Sequence, residues 1–410
     1  MKQARSRFVA VLVACAPVVG CGGPPSGHAA RQRGVGGAAA GPLPGVSASP
    51  APPELLHVPP APGALDPPAS VVTKKPGQGA RVAFALDVPG DLVAFDPHTG
   101  SELSRFVFGR QLEDVCWDAR TRRVLIVEHD AYDDGSRVHA VRWTGSAFVL
   151  ESSSPVLPGH SRVFAASDRV YAVSEDQGVV WNVLDDDLAP VGQFEPLVRP
   201  VSLLERVGGA HSRLLALDSA ARLAGQPADQ LLGVSHPAGG WQVTQQSYLV
   251  PGRPSARMVA GRPGSTYVLH KDPGEGTIEL ARVSTTAPDV PPDFHVVMTG
   301  AGRGELEGAA YDAERRVVAV AIARVPIARL ALVPTETGRP TALVSLDTAI
   351  RSTRWWSRDL VRDPESGRLL VATEQGIVAL SPGGSGDAPS LVIDAGFSAP
   401  ELRGPIALVP

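Results

Sequence analysis

The stretch Glu305 to Ala321, ELEGAAYDAERRVVAVA, repeats a pattern already written at Gln111 to Asp130, QLEDVCWDARTRRVLIVEHD. Both run as a short apolar strand, a polar turn opened by Asp, and a second apolar strand. The second half of the pattern recurs seven times. Strand-turn-strand segments begin at Arg81, Arg122, Arg169, Arg213, Thr266, Arg316 and Arg368, about 48 residues apart on average. A period in that range marks a repeat architecture, in which no unit buries its apolar face alone. β-branched and aliphatic residues bounded by Asp, Gly and Pro are strand-and-turn chemistry.

Six of the seven segments have a further strand on both sides, and the first has one behind it only. LEDVCWD, SRVFAAS, VSLLERV, SARMVAG, LEGAAYD and RDLVRD precede six of them. SRFVF, AFVLES, VGQFEPL, WQVTQQ, FHVVM, TALVSL and SLVIDA follow all seven. Four antiparallel strands, seven times, predict an all-β fold, a seven-bladed β-propeller of four-stranded blades. Six or eight blades fit as well if one repeat is split or merged. The first repeat lacks a leading strand, and the chain ends ELRGPIALVP, which aligns with ELEGAAYD. The C-terminal strand is therefore expected in the first blade, closing the ring.

Residues 79–410 are assigned to this domain and 21–78 to a tether. The tether is rich in Gly, Pro and Ala and carries no hydrophobic period, so it cannot offset the entropy of its own ordering. Residues 1–20 combine Lys2, Arg5 and Arg7 with an apolar run, the pattern of a secretory signal. The net charge of −4 gives no reason to expect nucleic acid as a partner.

The signal ends Val18-Val19-Gly20-Cys21, which resembles the bacterial lipobox. LVAC, ending at Cys15, fits the pattern too, but leaves a shorter apolar run. The resemblance implies lipidation of Cys21, so that acyl chains alone hold the protein on the cell envelope; a monomer is expected. Gly22 in place of Asp points by the same resemblance to the outer membrane. Cys116 is then the one cysteine left in the domain and is expected as a small core residue.

From about residue 80 onward the chain resembles the seven-bladed propellers of the YVTN or surface-layer-like group and, more loosely, the NHL and gluconolactonase-like propellers. The likeness rests on repeat length and the D-x-x-x-x-R-[VL]-[VL] turn. Gluconolactonase-like enzymes open with EGP.W, whose Glu binds a divalent metal; Glu307 matches that Glu alone.

In propellers the starts of the innermost strands ring the channel mouth, the usual ligand site of the fold. Alignment on LEDVCWD puts Glu307, Arg358, Arg403 and Glu113 at one equivalent position, with Asp114 and Asp359 next to two of them. Paired arginines there suit a carboxylate, phosphate or sugar. The same arc also suits a structural network of ion pairs. Glu128, Asp130, Asp133, Asp134, Glu175, Asp176, Asp272 and Glu275 lie in loops of the same face and offer oxygen donors for Ca²⁺, without a recognised spacing. The histidines lack metal-ligand spacing, so no zinc site is predicted. No cofactor is assigned. No G-x-S-x-G elbow or Walker loop occurs. Trp355 and Trp356 are read as inter-blade packing, with stacking on a ring as the other reading.

The function expected is an envelope-anchored module that binds a small polar ligand or an envelope protein. The rival is a metal-dependent propeller hydrolase of the lactonase or phytase type. Cys21→Ser is expected to release the protein from the membrane fraction, and mass spectrometry of the mature N-terminus to find acyl chains on Cys21.

Overall fold

The computed structural model describes residues 71–72, 81–87, 90–130, 135–166, 168–174, 180–194, 200–206, 213–218, 222–223, 226–235, 242–251, 256–261, 265–272, 276–284, 294–302, 304–323, 329–335, 342–346, 359–385 and 388–409. Within them every regular element is a β-strand. Their antiparallel sheets are named here first to seventh in chain order.

In the second sheet Leu112–Asp118, Arg123–Asp130, Gly135–Trp143 and Phe148–Ser153 pair in sequence order. The third holds Ser161–Ala165, Val170–Ser174, Val180–Leu184 and Pro190–Phe194. The fifth runs from Ala256–Ala260 to His295–Met298, the sixth from Glu305–Asp312 to Ala342–Ser345, and the seventh from Leu360–Arg362 to Ala388–Ile393. The fourth, starting at Pro200–Arg206, carries an added short strand, Arg222–Leu223. Repeated four-stranded antiparallel sheets of this kind are the units of a propeller.

The first sheet is built from both ends of the domain. Leu402–Leu408 pairs with Ala83–Asp87, with Ala83 opposite Leu408 and Ala85 opposite Ile406. Leu92–Phe95 and Glu102–Phe106 complete it. Val71–Val72, inside the segment expected as tether, pairs with Glu102–Phe106 at the outer edge.

Leading strands of neighbouring sheets lie side by side. Ser161–Ala165 contacts Leu112–Asp118, which contacts Leu402–Leu408. The series then continues through Leu360–Arg362, Glu305–Asp312 and Ala256–Ala260 to Pro200–Arg206.

The apolar runs follow from this placement. Successive side chains of a strand point to opposite faces, and here both faces are covered. Phe84 and Leu86 pack toward the second sheet, while Ala83 and Ala85 pack toward the seventh. In the sixth sheet Val318, Val320 and Ile322 face the fifth, and Val317, Ala319 and Ala321 face the seventh. Cys116 sits in the core between the second and third sheets, as a small apolar residue would.

The repeated Asp turn has a structural cause. Asp118 Oδ1 accepts from Arg120 N at 3.0 Å, and Asp312 Oδ1 from Glu314 N at 3.0 Å and Arg315 N at 3.2 Å. Asp363 Oδ1 accepts from Glu365 N at 3.2 Å. Such side-chain bonds hold a tight turn in place. Four residues beyond each Asp the backbone turns left-handed, at Arg122 (φ 56°), Arg316 (φ 56°) and Gly367 (φ 71°).

Two of these aspartates also join neighbouring sheets. Arg362 of the seventh sheet reaches Asp312 of the sixth at 3.2 Å, and Arg81 ahead of the first sheet's Ala83–Asp87 bonds Asp363 of the seventh. Burial alone would raise the Asp312 carboxyl. Hydrogen bonds from Arg315 and the charges of Arg362 and Arg315 outweigh it and hold the group below its ordinary range.

Ile406 is buried between the seventh and first sheets, whereas Val392 is 61% exposed on an outer strand. Ile406→Ala is expected to cost about 2–5 kcal/mol. Val392→Ala should stay within about 0.5 kcal/mol. Urea unfolding of the two variants checks the difference.

Candidate functional site

Three of the four residues singled out at the starts of the leading strands, Glu113, Glu307 and Arg403, lie at an irregularity of the strand pairing. In Leu112–Asp118 the pairing register skips between Leu112 and Asp114, which leaves Glu113 without an opposite residue. In Glu305–Asp312 it skips between Leu306 and Gly308, at Glu307. In Leu402–Leu408 it jumps between Leu402 and Ile406, a span that includes Arg403. A bulge of this kind re-aims side chains locally. The alignment therefore picked out one structural position, the bulge of the leading strand. Arg358, Trp355 and Trp356 lie outside the described residues, as does Cys21.

The position after the bulge meets the next sheet. Asp114 is buried; its Oδ2 accepts from Val163 N of the third sheet at 2.9 Å and its Oδ1 from Val115 N at 3.0 Å. At Gly308 a Cβ would stand 2.9 Å from Leu360 Cβ of the seventh sheet, so only glycine lets the two strands approach this closely. Asp359 is wholly buried, and its backbone carbonyl accepts from Ala372 N at 2.7 Å.

The bulge side chains pair across sheets. Glu307 Oε2 lies 3.7 Å from Arg257 Nη2 on the leading strand of the fifth sheet. Glu113 Oε1 lies 3.1 Å from His160 Nδ1, just ahead of the leading strand of the third, and its backbone carbonyl accepts from Arg162 Nη1 at 2.7 Å. Arg403 Nε is buried and meets no hydrogen-bond partner among the described residues, as is also true of Nε of Arg137 and Arg362. Neither Arg257 nor His160 was picked out from sequence. Each sits at or next to a leading strand whose repeat aligns poorly on LEDVCWD.

Two further groups lie near the end of Arg123–Asp130 in the second sheet. The buried Glu128 is bonded by Arg110, and its Oε2 lies 2.8 Å from His139 Nε2. The other nitrogen of that ring, Nδ1, meets Ser153 Oγ at 2.7 Å, and Phe108 packs on the ring at a centroid distance of 4.7 Å. Burial would raise the Glu128 carboxyl, but the bonds and charges of His139 and Arg110 hold it below the ordinary range. Its oxygens are thus engaged by Arg110 and His139. Of the other acidic loop residues, Asp133, Asp134, Glu175, Asp176 and Glu275 lie outside the described residues. Asp272 shapes a turn through its carbonyl, which accepts from Gly276 N at 3.0 Å.

The second group is one that sequence spacing did not reveal. His129 and His160 stack with ring centroids 3.8 Å apart and planes 18° from parallel. Together with Glu113 they place three potential donor atoms within 4.8 Å of one another. The residues come from three chain segments in two sheets, so no local spacing betrays them.

No protein-family model matches the chain, and no curated protein sequence matches it. Its fold does match solved structures. A functionally unknown protein from Desulfotomaculum acetoxidans superposes with a TM-score of 0.58 at 11% identity, covering 80% of this chain and 98% of that one. A protein from Lactobacillus plantarum gives 0.57 at 13% identity over 81% and 99%. A protein from Bacteroides fragilis, provisionally assigned as a 6-phosphogluconolactonase, gives 0.54 at 11% identity over 81% and 99%. At such identities the likeness carries the fold.

Glu128 has a depressed pKa in the folded state, so the stability it contributes is present above its ordinary unfolded value and is lost as pH falls through the folded one. Glu128→Gln is expected to cost about 1–3 kcal/mol at pH 7. It should also flatten the fall in melting temperature on acidification below about pH 4.5. Thermal melts of both proteins from pH 7 to pH 3 measure this.

Proposed function

We propose that the chain is an envelope-anchored lipoprotein whose seven-bladed propeller, closed by its C-terminal strand, is a binding module. Lipid on Cys21 holds it on the outer membrane, and residues 21–78 supply the reach. The module works as a monomer, and its partner is a small polar or anionic ligand or a loop of another envelope protein. The repeated sheets, the pairing of Leu402–Leu408 with Ala83–Asp87 and the near-complete coverage of the matching structures support the propeller.

One observation carries the binding role. Arg403 holds a buried guanidinium N–H with no protein acceptor among the described residues. Leaving a buried donor unmet costs about 1–3 kcal/mol, a cost that a bound acceptor removes. The fixed planar fork of arginine suits a carboxylate or phosphate. Glu113, held by His160, and Glu307, held by Arg257, occupy bulges of other leading strands, Glu113 on the strand next to that of Arg403. A metal-dependent hydrolase is the lesser reading, because fold likeness at 11% identity carries no chemistry.

Arg403→Ala separates a ligand-directed arginine from a structural one. The expected variant keeps or gains thermal stability and loses binding. Inorganic phosphate, citrate and 6-phosphogluconate serve as soluble probes, and pull-down from envelope extracts tests a protein partner. A variant that melts much earlier and keeps every interaction of the wild type refutes the proposal.

A further inference from the structure

We propose that Glu113, His129 and His160 form a site for one divalent transition-metal ion of the zinc class, seated between the second and third sheets. The inference stands on side-chain geometry and does not depend on the role given to Arg403.

Each donor is delivered by a defined piece of backbone. Glu113 occupies the bulge of Leu112–Asp118, and Arg162 holds its carbonyl at 2.7 Å. His129 lies one residue from the end of Arg123–Asp130, with its N–H bonded to Gln111 O at 3.0 Å. His160 follows Gly159, whose φ of 70° turns the chain. The Gly159 carbonyl accepts from the buried Ser136 hydroxyl at 2.5 Å, and that hydroxyl oxygen accepts from Ser161 N at 2.8 Å. The loop carrying His160 is thereby pinned to the second sheet.

The donors fit the ion. Two imidazoles and one carboxylate are a common three-ligand set for zinc and leave a fourth position open. Imidazole nitrogen selects zinc, copper or nickel over Ca²⁺ or Mg²⁺. His129 Nδ1 is buried and has no hydrogen-bond partner among the described residues, and one ring nitrogen of His129 lies within 4.8 Å of the Glu113 and His160 donor atoms. His160 Nδ1 lies 3.1 Å from Glu113 Oε1, the separation of two ligands that share an ion.

The stacked rings set a condition. Near-parallel imidazoles aim their lone pairs side by side, so one ring must turn for both to meet one ion in plane. His160, with 43% of its side chain exposed, has the room, whereas His129 sits on a paired strand. Metal binding is therefore expected to break the stack. The charge of Arg110 is offset by the Glu128 carboxylate, whereas Arg162 bonds the neutral Glu113 carbonyl and its charge opposes the ion.

The test is titration of the full-length protein with Zn²⁺ by equilibrium dialysis, and with Co²⁺ as a spectroscopic probe of nitrogen ligation. Wild type is expected to bind one Zn²⁺ per chain, to show visible ligand-field bands with Co²⁺, and to ignore excess Ca²⁺. Removing even an outer-sphere partner of a metal site costs 10–100-fold in affinity, so loss of a ligand in His129→Ala, His160→Ala or Glu113→Gln should cost at least about tenfold. Arg403→Ala should bind Zn²⁺ as wild type does. His160→Ala alters an exposed ring and decides the matter if His129→Ala does not fold. The proposal is overturned if wild type takes up no Zn²⁺ at tens of micromolar, or if His160→Ala binds it undiminished.

Discussion

Everything in this molecule depends on sheets that are buried on both faces. A single four-stranded sheet with two apolar faces has no stable solution alone, because each face needs a cover. Here the cover is the next sheet. The alternation along Ala83 to Leu86 sends one set of side chains to the second sheet and the other to the seventh. The chain therefore needs no large aromatic core. Val, Ala, Leu and Ile on strands such as Val317–Ala323 fill the spaces between sheets.

Polar residues set the register of this packing. The aspartates opening the turns close their own loops and also receive arginines from neighbouring sheets, as at Asp312 with Arg362 and Asp363 with Arg81. On the leading strands the corresponding device is the bulge. Freed from a paired neighbour, the bulge residue reaches across to an adjacent sheet, and the next residue, Asp114 or Gly308, makes the close contact behind it. One irregularity thus serves both packing and presentation of charge. That is why carboxylates and arginines recur at a site where an apolar residue would pack more simply.

The strands were legible because both-face burial writes continuous aliphatic runs, which survive even where the polar turn drifts in length. The C-terminal strand was legible because ELRGPIAL keeps the spacing of ELEGAAYD around the bulge. Glu113, Glu307 and Arg403 were legible as equivalent positions for the same reason. What they touch was not: Arg257 and His160 lie on repeats that lack the aligned motif, and pairing across sheets leaves no local trace. The stack of His129 on His160 is the extreme case, since it joins residues of two repeats. Val71–Val72 was hidden in Pro-rich sequence, where two residues carry no period at all.

The first sheet requires the C-terminal strand as an integral member rather than a tail laid against it. Native-state hydrogen exchange tests this directly, since amides opened only by global unfolding exchange far more slowly than those of frayed ends. The amides of Leu402–Leu408 and Ala83–Asp87 that bond each other are predicted to exchange as slowly as those of Val317–Ala323 in the middle of the sixth sheet. Fast exchange across Leu402–Leu408, with Val317–Ala323 still protected, would contradict the account.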